Sequence, residues 1–162
     1  MMKMLFPLVG AAMISVAAPA AAQVMAPAEY VATAGAGDLY ERTSSELVLE
    51  STSDAKIRDF AQMMIKHHTK STADVTAAAK KARVAVPAPK LNPLQTELIA
   101  QLRAEQGPAR DKAYVAQQKA AHNQALAVHQ AYAASGTAAP LKAAAAKVAP
   151  VVMQHIEMLK KM

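Results

Sequence analysis

From Gln23 onward, apolar residues recur at three- and four-residue intervals, the period of an amphipathic helix. Alanine, leucine, lysine, glutamine and methionine dominate, and β-branched clusters are few. The clearest stripe is Ile57, Phe60, Ala61, Met64, His68 and Val75. It lies on a predicted helix from Asp54 to Ala82, whose end carries Lys80, Lys81 and Arg83, where the helix dipole favours cations. Pro87 and Pro89 forbid its continuation. An earlier helix spans Ala28 to Ser51, with Gly35 and Gly37 weakening its first half. Thr52, Ser53 and Asp54 form a tight connection with capping side chains.

A short helix follows, with Asn92 as N-cap, Pro93 at the first helical position and Gln95 as a capping-box partner. It ends at Gly107-Pro108. The next helix covers Ala109 to Ala134 and stops at Ser135-Gly136, a left-handed cap signal. The last covers Ala138 to Lys161, with Pro150 inside it expected to kink it and free one carbonyl. The pattern predicts an all-α four-helix bundle: two hairpins joined by a connection of roughly 25 residues that carries the short helix. Alanine-rich patches (Ala77 to Ala79, Ala143 to Ala146) let helices approach closely but bury little apolar area, so the core is expected to be thin.

The first 22 residues read as an export signal. Lys3 supplies the positive region, Leu5 to Ala18 the apolar one, and Ala20-x-Ala22 the small residues of a cleavage site. The apolar run is shorter than the ~20 residues a spanning helix needs. Residues 23–162 then form one domain of about 140 residues, enough for a single core. Removing Lys3 from 18 basic residues leaves 17 against 12 acidic ones, a formal charge of about +5. A mildly basic exported protein can touch anionic lipid or polymer surfaces. Scarce aromatics, no binding motif and an exported location argue against nucleic-acid binding. No later stretch is apolar enough to span a membrane, and there is no cysteine to form a disulfide or carry a lipid. The expected protein is a monomer or weak oligomer of the periplasm or cell envelope.

The candidate chemistry lies in the histidines. Four of five sit on apolar stripes, and His68, His122 and His155 come from three different helices. Counted from the first hairpin turn, Glu41 lies about 12 residues deep and His68 about 15, a difference of ~5 Å along the axis. Two topologies remain for the other pair. If the long connection crosses the bundle, His122 is about 13 residues deep and His155 about 9; in a simple up-down bundle they are about 15 and about 18. Either way the four share a central zone. His129, one heptad after His122, lies ~10 Å further along the same stripe. One reading is a metal site of Glu41, His68, His122 and His155, a donor set that suits zinc, iron or copper. The other is a set of satisfied core histidines, each bonded to a carboxylate or carbonyl. Di-iron bundles use Glu-x-x-His on two helices, and neither Glu-x-x-His nor Asp-x-x-His occurs here.

Other residues add less. Asp111 and Tyr114 either support the same polar network, or Asp111 only complements a helix N-terminus. Met64 precedes His68 by one turn, and Met153 and Met158 flank His155. They read as core filler rather than as copper ligands. Lys66, His67 and Lys70 read as a solvated basic face. No cysteine or evident serine nucleophile, phosphate-cradling loop or cofactor motif appears.

Residues Ile57 to Thr69, Ile-Arg-Asp-Phe-Ala-Gln-Met-Met-Ile-Lys-His-His-Thr, are similar to a Phe-Ala-x-x-Met-x-x-Asp-His-Thr segment found in exported bacterial proteins. Asp111-Lys112-Ala113-Tyr114 resembles the Asp-Arg-x-Tyr of the same proteins, and Gln118 through His122 their later histidine. Pro150 and His155 match their Leu-Pro-x-Leu-x-x-His ending, with Ala149 replacing the leucine, and Glu41 falls where an acidic residue is usual. The chain thus resembles the family called domain of unknown function 4142, often labelled outer membrane proteins, from about Tyr30 to Leu159. The resemblance implies a ferritin-like bundle and says little about activity. His67 departs from the pattern, replacing an aspartate. The leading expectation is an exported, non-enzymatic ferritin-like protein with an internal histidine-centred polar site. A periplasmic protein that binds or buffers zinc, iron or copper is the first alternative. An oxidative-stress metalloenzyme is the second, disfavoured by the missing Glu-x-x-His.

Overall fold

The computed structural model describes residues 24–162, so the leader assigned to residues 1–22 lies outside the described residues. Five helices follow one another: α1 (Pro27–Leu49), α2 (Ala55–Lys81), α3 (Pro93–Ala104), α4 (Gly107–Ser135) and α5 (Ala139–Leu159). No helix among the described residues is long and apolar enough to cross a membrane.

The local signals act much as their chemistry requires. The Asp54 carboxylate accepts from the Lys56 and Ile57 amides and starts α2. Asn92 and Gln95 form a reciprocal capping box at the start of α3. Pro150 does not interrupt α5. It and Ala146, whose carbonyl loses its helical donor, both lie on the exposed face, where water can satisfy the freed oxygen.

Three glycine expectations change. Gly35 and Gly37 sit inside an unbroken α1. A Cβ on Gly35 would meet the Pro89 ring at 3.5 Å, an ordinary van der Waals contact, so the approach of the connection does not require glycine there. Gly136 is not left-handed: its φ is −57° and its ψ 145°. It is needed for its size, since a Cβ there would fall 2.6 Å from the Tyr132 carbonyl oxygen and ring. The left-handed cap lies instead at Arg83, with φ 57°. The Arg83 amide bonds the Lys80 carbonyl and the Val84 amide the Ala79 carbonyl, a Schellman ending of α2.

The topology is the crossing one. The Gly107 amide donates to Ser51 Oγ, Thr52 Oγ1 to Asp111, and Arg110 to Glu50, so α4 starts at the α1–α2 turn. Residues 82–106 therefore travel back along the bundle, the ferritin-like connectivity, and α3 packs Ile99 and Leu102 into the core on the way. The apolar core falls into two clusters. Tyr40, Leu47, Phe60, Met64, Leu102, Tyr114 and Leu159 fill the turn end. Tyr30, Ala34, Val75, Ala79, Tyr132, Leu141 and Ala145 fill the far end, where alanine keeps the helices close. Outside both clusters, the buried polar residues include Asp38 and Glu41 on α1, His68 on α2, His122 on α4 and His155 on α5.

Candidate functional site

This polar layer is built by helical spacing. Asp38 and Glu41 are one turn apart on α1 and face inward together. The α2 stripe that buries Phe60 and Met64 buries His68 one turn later. On α4, Gln118 and His122 share a face, and α5 adds His155. One ring nitrogen each from His68, His122 and His155 can be chosen so that all three lie within 4.8 Å of one another. The residues are 7%, 0% and 2% exposed, so the three nitrogens meet inside the bundle. Phe60 walls the layer on the turn side, its ring centroid 6.2 Å from that of His122 and 6.3 Å from that of His155.

Each imidazole is held from behind. His68 Nδ1 lies 2.8 Å from Asp38 Oδ1, and Asp38 Oδ2 accepts from Thr72 Oγ1 at 3.0 Å. His122 Nδ1 donates to the Gln118 carbonyl at 2.9 Å, with Glu41 Oε1 3.6 Å away. His155 Nε2 lies 2.9 Å from His67 Nδ1. With those nitrogens engaged, the inward ones are Nε2 of His68, Nε2 of His122 and Nδ1 of His155. The last two are 3.2 Å apart. His68 Nε2 is buried with no partner, as is Glu41 Oε2. A buried polar atom left bare costs about 1–3 kcal/mol, which makes both atoms notable.

The electrostatics sort the rings. Burial pushes the His155 imidazole down to about 3, helped by His122, His68 and His67. Burial also lowers His122, against the opposing pull of Glu41. His67 is lowered by burial and by His68 and Lys66. His68 moves the other way: burial opposes its charge, but the Asp38 hydrogen bond and the Glu41 and Asp38 carboxylates outweigh it. His122 and His155 are thus kept neutral and lone-pair-bearing, while the two carboxylates favour a charged His68.

Of the residues singled out from sequence, His68, His122 and His155 come together. Glu41 stands behind His122 rather than among the three converging nitrogens. Asp111 and Tyr114 lie toward the turn, bonded to Thr52 at 3.0 Å and to Ser45 at 2.8 Å. Met64 is core, but Met153 and Met158 are 49% and 39% exposed and fill no core. His67 is not a solvated residue like Lys66: it is half-buried and bonded to His155. Asp38 joins the layer without a motif to mark it; the one signal is depth, since it lies about 15 residues before Ser53 and His68 about 15 after on paired helices.

The model of the family described as Domain of unknown function (DUF4142) matches residues 12–162, and the chain belongs to that family. No curated protein and no solved structure matches it.

Proposed function

For this member of the family we propose an exported envelope protein that holds one divalent transition metal ion in its buried histidine layer, as a binding protein rather than an enzyme. One observation carries the reading. Three imidazoles from three helices each have one nitrogen held by a fixed partner and the other turned toward a common point. Metal-ligating histidines are oriented in this way, through a carboxylate or carbonyl on the far nitrogen. The donor set fits the ion: three borderline nitrogen donors suit zinc or copper(II) better than iron, which favours more carboxylate oxygen. The unpartnered His68 Nε2 gains a partner, and a dication balances the buried pair Asp38 and Glu41. The closed layer, walled by Phe60, suits retention more than turnover. Export rests on the leader-like residues 1–22.

The test is expression of the full chain without an affinity tag in a bacterium that exports it. Mass spectrometry should find a chain beginning at Gln23, and elemental analysis about one zinc or copper per chain after supplementation. A chain still beginning at Met1 contradicts export. Absence of stoichiometric metal after supplementation, together with no calorimetric binding, contradicts the metal reading.

A further inference from the structure

The three inward nitrogens are sealed from solvent, so an ion needs a route to them. A hydrated divalent ion exchanges its waters for ligands, and an apolar wall such as the Phe60 ring offers none. Two polar features among the described residues border the layer. The first is a cavity of about 20 Å³ under the connection, lined by Gly35, Asp38, Thr72, Val86 and Pro89 among others. That volume holds one water. Its polar floor is spoken for, because Asp38 bonds His68 with one oxygen and Thr72 with the other. Behind Asp38 the ion would meet the Nδ1 edge of His68, not the inward Nε2.

The second feature is His67. Its half-buried ring lies nearly parallel to that of His155, with an interplanar angle of 19° and centroids 5.1 Å apart. His67 Nδ1 is 2.9 Å from His155 Nε2, and the opposite nitrogen of His155 is 3.2 Å from His122 Nε2. Neighbouring ligands on one ion, each at ~2.0–2.1 Å, stand about that far apart. The rings of His67, His155 and His122 therefore form a continuous line of nitrogen donors from the partly exposed edge of α2 to the sealed layer.

We propose that His67 and His155 form an outer metal-binding station through which a hydrated divalent transition ion passes between solvent and the three-histidine layer. The inference rests on the metal reading above and adds the residue that governs exchange. His67 then has two separable roles: it holds the His155 ring when the inner layer is filled, and it ligates the ion in transit.

Stopped-flow transfer of zinc between the mature chain and a chromophoric chelator separates them, with wild type, His67→Gln and His67→Ala compared. The glutamine oxygen still accepts a hydrogen bond from His155 but is a poor zinc ligand. Equal melting of the zinc-free variants establishes that they fold. For His67→Gln, uptake and release should both slow by about tenfold or more while the dissociation constant stays within about threefold. For His67→Ala, loss of the orienting partner should add a weakening of about 10-fold or more. Wild-type rates in His67→Gln would overturn the proposal and direct attention to the Asp38 side. Faster release with unchanged uptake would also overturn it, leaving His67 as an orienting residue only. A wild-type chain that binds no zinc or copper fails at the earlier step and removes both readings.

Discussion

His122 and His129 lie one heptad apart on the same face of α4, and both are buried. Their surroundings differ entirely. Around His122 stand His68, His155 and Glu41 from three other helices, and its inward nitrogen faces another imidazole. Around His129 stands the alanine-rich far core, and its Nδ1 meets the phenol of Tyr30 at 3.0 Å. Tyr30 in turn stacks on Tyr132 at 4.0 Å. Burial on a helical stripe therefore does not by itself distinguish the two. Convergence of ring nitrogens whose far sides are already held does.

The comparison can be broken by substitution, and the largest effect is expected at Phe60. It is fully buried between Tyr114 and the histidine layer. Phe60→Ala should destabilise the fold by ~3–5 kcal/mol, because fixed ring systems around it cannot collapse into the space. A denaturant midpoint equal to wild type would show that the layer does not pack as described.

Acid should act on the far histidine next. Burial pushes His129 down to about 4, against an ordinary value of 6.5. A depressed histidine contributes stability that is fully present above 6.5 and is lost as pH falls from there toward about 4, because the unfolded chain takes up the proton first. The slope is at most ~1.4 kcal/mol per pH unit for one such group. His129→Gln should flatten that part of the stability profile, measured by denaturant unfolding across the window. An unchanged slope would mean that His129 is not held neutral. His68 carries the opposite sign, since its folded value is raised. Its contribution is present below 6.5 and fades as pH rises through the folded value.

Coupling sharpens the contrast further. His122→Ala and His155→Ala should be non-additive by ~0.5–3 kcal/mol, whereas His129→Ala with His155→Ala should be additive. Additivity in the first pair would sever the shared layer. The smallest effect is expected from Tyr30→Phe, which removes the phenol from His129 and should cost about 1–2 kcal/mol in thermal or chemical melts. No measurable cost would mean that the far histidine finds another partner.

The helices were legible because their signals are local. The α2 stripe, the Asp54 cap and the Asn92–Gln95 box operate within a turn or two of chain, and each appears where the sequence places it. The common depth of His68, His122 and His155 was legible for the same reason, since rise per residue is fixed. What required tertiary contacts was not. The choice between two topologies is made by Ser51, Thr52 and Glu50 meeting the start of α4. Gly136 follows from the Tyr132 ring, not from backbone handedness. His67 adjoins His68 in sequence but points about 100° around the helix. Only the approach of α5 turns it from a surface residue into the partner of His155. Helix periodicity places a residue on a face but does not say which neighbouring helix will meet that face.

The central claim is that three held imidazoles make the layer around His122 a metal site, while the equally buried His129 is not part of one. The direct measurement is the melting temperature of wild type, His68→Ala, His122→Ala, His155→Ala and His129→Ala, each with and without saturating zinc or copper(II) at neutral pH. The wild-type and His129→Ala proteins should melt higher with metal, by several degrees. The other three should lose that rise. A rise that survives all three layer substitutions, or one that disappears with His129, would contradict that claim.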